Sequence, residues 1–410
     1  MKIILIHRNF PAQFRHLISR LLENPENEIF FITNNKQTPQ YSGIKKIIYE
    51  TTREVAQNTH HYLKFTEDCI LHGQGVAKVL LELKKYIKPD IIYSHAWGVD
   101  MFIKDIFPDV PLLCYYEWFY KAFGSDVDFA AKGNIPIDNQ CRTRAKNAAL
   151  LVSLVSSDYG ITPTQWQLKQ FPKIFHPKIT VLHDGINTEV FCPNPDKKLT
   201  IPSLNLDLSD AKEIITYATR GMEPYRGFPE FMEAAYIIQK RRPQCHIVVA
   251  GEDRVCYGSS RTDGLTYKQY ILNKFPFDNS RLHFTGSLPY NEYISLLQCS
   301  NAHVYLTYPF VLSWSVLEAM SCACTVIASD TQPIREVIQA GVNGFLVSFY
   351  SPNKLADKLA EILDNKGNLQ HIKDNARNFV IQNYNSNILL SRHIELLTNI
   401  AQRKYDYSKK

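Results

Sequence analysis

No CxxC pair occurs among the nine cysteines of this 410-residue chain. The closest two, Cys322 and Cys324, have a single residue between them, a spacing that fits neither a zinc site nor a redox motif, and the cysteines read as small reduced core residues. His60, His61, His246 and His283 also lack partners at metal-ligand spacing, so no metal is expected. No apolar run approaches the length of a membrane span, and the opening MKIILIHRNF is broken at His7 before a signal-peptide core is reached. The expectation is a cytoplasmic protein, with peripheral contact at the inner face of a membrane as its only membrane option. Charge of one sign is scarce as well: the net charge is +6, and the basic residues cluster only at Arg142, Arg144 and Lys146 and at the tail pair Lys409 and Lys410. Nucleic-acid binding wants a denser basic face. No glycine fingerprint follows the first apolar run, and HGQGVA (residues 72–77) lacks a third glycine at dinucleotide spacing, so it reads as a helix start rather than a nucleotide loop.

What remains is the balance of a globular protein, 45% hydrophobic and 21% charged. Its length predicts two domains with a cleft available for a ligand. Residues 3–6 are a short apolar strand followed by the loop HRNFPAQF and a helix over 14–22. Strand-like runs recur at 29–33, in IIYSHAWG and at 111–116. Helical spacing is predicted over 75–87, and a helix start at Thr162-Pro163. Residues 147–154 and 179–182 continue the series. Continuous apolar strands alternating with helices mean a parallel sheet covered on both faces. Residues 192–210 are rich in Pro, Asn and Asp without periodicity and read as a linker. Beyond them the alternation restarts with a strand at 214–218, a helix at 228–241, HIVVAG, LHFTG with a helix through 297, a strand at 302–308, a helix around 316–320 and strands at 325–328 and 345–347. The fold class is therefore α/β, two Rossmann-like doubly wound halves. The domains are placed at 1–195 and 196–385, with a helix in 386–410 packing back on the first.

In open parallel sheets, ligands bind beyond the carboxyl ends of the strands. The segment ITYATRGMEPYRGF puts Arg220 and Arg226 in one such loop, with Gly221 and Gly227 allowing tight turns. Two converging guanidiniums suit a diphosphate, because each offers paired donors and a charge that cannot be lost; two unrelated surface arginines are the plainer alternative. YPFVLSWSVLEAMSC runs from a strand into a helix whose free amides face the same edge, so Ser313, Trp314 and Ser315 open a candidate phosphate cradle. Glu318 is either a first-turn acid complementing the helix dipole or an acceptor for ribose hydroxyls. Glu117, at a strand end inside the aromatic run YYEWFYKAF, is a candidate acceptor-side residue.

The ordered motifs TRGMEPYRGF, HIVVAGED, HFTGSLPYNEY and SVLEAMSCACTVIASDTQPIREVIQAGVNGFLV resemble the donor-binding half of retaining GT-B glycosyltransferases of family four. The first half resembles the acceptor domain of that family through NFPAQFR, SHAWG, YYEWFY, RAKNAALL, ITPTQWQ and VLHDGINTEVF. The resemblance implies that Arg220 and Arg226 neutralise the donor diphosphate, that Glu318 holds the ribose, and that His95 meets the donor sugar near the scissile bond. Gly251, ending HIVVAG, falls in the donor half, and Asp330–Pro333 where the donor pocket closes. Asn9, Phe10 and Gln13 belong to the loop facing donor phosphate and acceptor. One departure stands out: Phe310 occupies the position of the family's first acid, and Ser313 that of a glycine.

The reaction implied is transfer of a hexose from a UDP- or GDP-sugar to a hydroxyl acceptor, a glycan or lipid-linked precursor, with retention at the anomeric carbon. No cofactor is implied beyond the sugar nucleotide, and no DxD pair stands beside a donor strand to ask for a metal. A catalytically inactive binding protein on the same fold and a nucleotide-sugar epimerase are the alternatives.

Overall fold

The computed structural model describes residues 1–37 and 41–403; Lys409 and Lys410 lie outside them. The chain forms two compact units, one from Met1–Gly185 together with the segment from Ser386 onward, the other from Ile186–Asn385.

The first unit carries strands β1 (Lys2–Ile6), β2 (Glu28–Thr33), β3 (Ile44–Ile48), β4 (Ile91–His95), β5 (Leu112–Tyr115), β6 (Tyr159–Thr162) and β7 (Ile179–Val181). They pair in parallel in the order β3-β2-β1-β4-β5-β6-β7. The central strand shows why its sequence is apolar throughout. Ile4 and Ile6 point into one hydrophobic cluster with Val76 and Leu80 of the helix Lys64–Leu83. Ile3 and Leu5 point into another, with Leu17 of the helix Arg15–Leu21 and Leu397 and Ile400 of the helix Ser386–Ala401. Successive side chains alternate between faces, so a strand covered on both sides has no polar face to show. Each such side chain contributes roughly 1.5–3 kcal/mol by leaving water. The strand order reverses between β1 and β4, and the residues that follow them, His7 and Arg8 on one side and Ala96 on the other, stand at that switch point, with His95 closing β4.

The second unit opens with a small antiparallel pair, β8 (Thr200–Ile201) and β9 (Leu206–Asp207). Its main sheet is parallel, with β10 (Glu213–Gly221), β11 (Cys245–Glu252), β12 (Leu282–Gly286), β13 (Ala302–Tyr305), β14 (Val326–Ser329) and β15 (Phe345–Val347) in the order β12-β11-β10-β13-β14-β15. Here the switch point lies between β10 and β13.

Three local expectations are corrected. Residues 72–77 are not a helix start: the helix begins at Lys64, and its small residues let other backbone in, a Cβ on Gly73 falling 2.6 Å from the Gly98 carbonyl oxygen. The cap read at Thr162 belongs to Thr164, whose hydroxyl accepts the Gln167 amide at 3.1 Å. The stretch 192–210 is not a free linker, because Leu199, Ile201 and Leu208 are buried with Ile214, Val248 and Leu296. The division falls instead between Gly185 and Ile186. A Cβ on Gly185 would lie 2.5 Å from the Ser386 Cα, and the Ile186 amide donates to the Tyr384 carbonyl at 2.7 Å, so the outgoing and returning chain run side by side.

Candidate functional site

The second unit's site is assembled where β10, β11 and β13 end. β10 and β11 come so close at their tips that residue 251 must be glycine: its φ is +137°, and a Cβ would stand 2.1 Å from the Thr219 carbonyl oxygen. Gly221 is needed for a similar reason, since a Cβ there would meet the Arg254 carbonyl oxygen at 2.6 Å. Between these tips lies a cavity of about 240 Å³ lined by Arg220, Arg226, Gly251, Tyr257, Gly286 and Ser287 together with Tyr293, Tyr305, Ser313 and Ser315.

The two arginines share this cavity in different states. Arg220 is exposed and makes no hydrogen bond or ion pair among the described residues. Arg226 is buried, 7% exposed, and its Nη1 donates to the Tyr305 hydroxyl (2.9 Å), Thr307 Oγ1 (2.7 Å) and the Val311 carbonyl (3.2 Å). Every one of these acceptors is neutral. The Tyr257 ring lies 5.2 Å from the guanidinium carbon. A buried cation with neutral partners carries an uncompensated desolvation cost, which an anion entering the cavity offsets.

The helix start joins the same arrangement. Ser313 caps the helix Trp314–Ser321, its hydroxyl accepting the Ser315 amide at 3.4 Å, and its own amide donates to the Tyr305 hydroxyl at 3.0 Å. Tyr305 therefore ties the Arg226 guanidinium to the helix N-terminus through one oxygen. Trp314 does not line the cavity; its indole packs against the apolar cluster of Val316 and Leu317. Phe310 is turned into an aromatic group, 5.4 Å from both the Tyr225 and the Tyr257 rings. Glu318 sits past the first helical turn and is not among the lining residues. Its carboxylate accepts the Tyr293 hydroxyl at 2.9 Å, and burial pushes its pKa up to about 7 although that bond pulls the other way.

The sequence reading missed three residues of this site: Tyr305, Tyr293 and Glu223. Glu223 is fully buried and lies between the arginines in sequence, yet its carboxylate forms an ion pair with neither. Its carboxylate collects the amides of Cys256 (2.9 Å), Tyr257 (3.0 Å) and Gly258 (2.7 Å), which holds Tyr257 in place over Arg226. An acid midway between the two arginines of the segment 220–226 was the available signal. Asp330, outside the cavity, takes both Nε and Nη2 of Arg335 at 2.6 and 2.9 Å.

In the first unit His95 ends β4, 2% exposed, with neither ring nitrogen hydrogen-bonded among the described residues. It stacks on Tyr115 at 5.3 Å and meets His7 and Trp97 edge-on, both at 4.6 Å. Burial holds its pKa well below the usual imidazole value, with His7 and Arg8 adding like-charge repulsion. Burial likewise lowers His7 to about 4. The acceptor-side candidates are not brought together. Asn9 lines a polar crevice with Arg8, Asn34, Asn35, Glu50 and Thr51. Gln13 faces a different, smaller cavity beside Tyr93, Asp184 and His393. Phe10 is a core residue, its ring 4.7 Å from Phe31, so it presents nothing to an acceptor. Glu117 is half-buried, and its carbonyl accepts from Gln167 Nε2 at 2.8 Å.

A family profile described as Glycosyl transferase family 4 group matches residues 25–191, and one described as Glycosyl transferases group 1 matches residues 205–379. The chain belongs to the group 1 glycosyltransferases. Among curated relatives, the N,N'-diacetylbacillosaminyl-diphospho-undecaprenol alpha-1,3-N-acetylgalactosaminyltransferase of Campylobacter jejuni is 23% identical over 55% of this chain and 55% of its own length. The chain spans about half the length of the curated relatives it matches. Sucrose-phosphate synthase from Thermosynechococcus elongatus superposes with a TM-score of 0.72 at 15% identity, over 98% of this chain and 99% of that one. HepE of Anabaena, solved in complex with UDP-glucose, gives 0.69 at 16% identity, over 97% and 100%. At such identities the likeness carries the fold, and that fold is GT-B.

Proposed function

We propose that this group 1 glycosyltransferase moves a hexose from a UDP- or GDP-sugar to a hydroxyl acceptor, with retention at the anomeric carbon and without a metal ion. The observation that carries the reading is the buried Arg226, held only by neutral acceptors on the wall of a cavity that Arg220 and the Ser313 helix start also line. A buried cation, a second cation beside it and the N-terminus of a helix are the equipment for a pyrophosphate. The demanding step in such a transfer is departure of the nucleoside diphosphate, and preorganised donors aimed at the charge growing on it supply the largest catalytic contribution. The likeness to HepE, solved with UDP-glucose, supports UDP as the first nucleotide to test.

His95 is assigned to the reacting sugar. Its imidazole is kept neutral by burial, with neither nitrogen hydrogen-bonded among the described residues, so it would not repel a positive charge developing on the sugar. Neither a hydrolytically silent binding protein nor an epimerase is favoured by any contact in the site, and one assay separates all three. Purified protein is incubated with radiolabelled UDP- and GDP-hexoses and with soluble and lipid-embedded hydroxyl acceptors, with and without a chelator, and product configuration is read by NMR. The expected outcome is acceptor-dependent transfer with the donor's anomeric configuration, unaffected by the chelator. Conversion of the sugar nucleotide with no acceptor present, or activity restored only by magnesium, sinks the proposal.

A further inference from the structure

We infer that Arg8 is a positioning residue for His95, holding the turn after β4 in place through the carbonyl of Trp97; the inference rests on the role proposed above for His95. Arg8 follows β1 and is itself anchored where β2 ends: its carbonyl accepts the Thr33 hydroxyl at 2.8 Å and the Asn34 amide at 3.2 Å. Its side chain crosses the switch point, and Nε and Nη2 both donate to the Trp97 carbonyl oxygen, at 3.0 and 2.6 Å. Nη1 pairs with Asp68 Oδ2 at 2.5 Å, and that acid belongs to the helix Lys64–Leu83. One guanidinium therefore joins the loops after β1 and β4 to a helix.

His95 depends on such a clamp because neither of its ring nitrogens is hydrogen-bonded among the described residues. Ring packing sets its place instead, with Tyr115 stacked at 5.3 Å and His7 and Trp97 edge-on at 4.6 Å. Trp97 stands two residues beyond the end of β4, in a tight turn where its amide donates to the His95 carbonyl at 2.9 Å. Gly98 presses the same turn onto the helix Lys64–Leu83: its φ is +86°, and a Cβ there would lie 2.5 Å from the Cys69 Cα. Two donors in a rigid fork engage both lone pairs of the Trp97 oxygen, which fixes the direction of that peptide as well as its distance. The indole that abuts His95 is thereby fixed too. A lysine carries its charge on a flexible stem and lacks the fork, so it cannot make this two-point contact. The Arg8 charge also adds to burial and to His7 in opposing protonation of His95.

Arg8→Met removes the fork, and Arg8→Lys keeps the charge while breaking the two-point contact. Two quantities are read on full-length protein. The first is the NMR resonance of the His95 ring in protein carrying labelled histidine, assigned by its loss in His95→Gln; it reports the ring currents of Trp97 and Tyr115 and needs no activity. The second is kcat against donor KM in the transfer assay. Arg8→Met is expected to move the His95 resonance and to lower kcat roughly ten- to a hundred-fold, the scale of a small misplacement at a reacting centre, with donor KM within about three-fold of wild type. Arg8→Lys should fall between the two. Lys104→Met is the control, because Lys104 likewise donates to a carbonyl, that of Val110 at 3.0 Å, and pairs with an acid, Asp158 at 2.8 Å. It should lower the melting temperature without moving the His95 resonance or kcat. An unmoved resonance or an unchanged kcat in folded Arg8→Met overturns the inference, as does an equal loss in Lys104→Met. Should Arg8→Met fail to fold, the same outcomes are read on Arg8→Lys. Wild-type protein without transferase activity overturns the proposed function instead, and the resonance alone then decides whether Arg8 holds His95.

Discussion

At the strand ends of the second unit a guanidinium is buried and keeps its charge, whereas at those of the first unit two imidazoles are buried and surrender theirs. The chemistry of the side chains decides this. Arginine cannot be deprotonated at any accessible pH, so burying it stores an unanswered positive charge. Histidine escapes the same cost by staying neutral, and His7 and His95 do so. Under the proposed transfer reaction the contrast would give the two switch points different jobs. A permanent charge suits a ligand that arrives as an anion, and a neutral base suits a centre whose charge appears only during reaction.

The contrast is broken most directly at the arginines. Arg226→Ala is expected to raise the barrier to transfer by about 2–4 kcal/mol, the scale of losing one preorganised donor. It should also destabilise the fold by about 1–3 kcal/mol, because the Tyr305 and Thr307 hydroxyls and the Val311 carbonyl lose their donor. Arg220→Ala should show a barrier increase of similar size with stability changed by less than about 0.5 kcal/mol, since Arg220 is exposed and holds nothing else in place. Initial rates and urea midpoints on the two variants measure this. Normal transfer by Arg220→Ala would remove the paired-cation account, and an unchanged midpoint in Arg226→Ala would remove the structural half of Arg226's role.

Glu318 sharpens the comparison from the acid side. Its pKa in the folded chain is about 7, above the ordinary 4.5 of an unfolded glutamate, so the folded state holds the proton more tightly. Stability should consequently fall as pH rises between about 4.5 and 7, and the full cost is present above that window. Glu318→Gln abolishes this contribution and is expected to raise stability at pH 8 by at most about 3 kcal/mol relative to its effect at pH 4.5. Urea midpoints at the two pH values read the difference. A variant whose midpoint shifts equally at both would mean that the Tyr293 hydrogen bond already keeps the carboxylate ionised at an ordinary pKa.

Much of the architecture was legible because two-sided burial leaves a plain mark. The helix Phe228–Arg241 and the apolar strands β1 and β14 stand where periodicity placed them. β3 escaped, since IKKII lies at the sheet edge and carries Lys45 and Lys46, which blunt an edge against further pairing and hide its alternation. The helix Lys64–Leu83 was clipped because Gly73 and Gly75 look like breakers, while their real role is close approach of the Gly98 and Glu50 carbonyls. In the site, Arg220 and Arg226 could be found from their loop, but their unequal burial could not. That inequality depends on Tyr305 and Thr307, partners that the fold brings to Arg226 from 79 and 81 residues away. Nothing in a linear pattern pairs Tyr293 with Glu318.

The smallest effect expected tests whether neutral buried imidazole is general to the first unit. His393, in the helix Ser386–Ala401, is held at about 4 by burial, although a long bond from its Nε2 to the His183 carbonyl oxygen at 3.4 Å favours the proton; its Nδ1 has no partner among the described residues. The folded pKa lies below the ordinary 6.5, so as pH falls through that value the unfolded chain takes up the proton first. Stability is intact above pH 6.5 and declines toward pH 4, reaching a loss of about 2 kcal/mol for this group at pH 5. His393→Phe should recover that loss at pH 5 and leave pH 8 unaffected by it, so the variant's urea midpoint should fall less steeply on acidification. Three of the four tryptophans, Trp97, Trp118 and Trp166, belong to the first unit, which makes their fluorescence the natural signal. An identical acid slope in variant and wild type would mean that His393 is protonated without unfolding, and that neutrality is imposed at the switch point rather than throughout the unit.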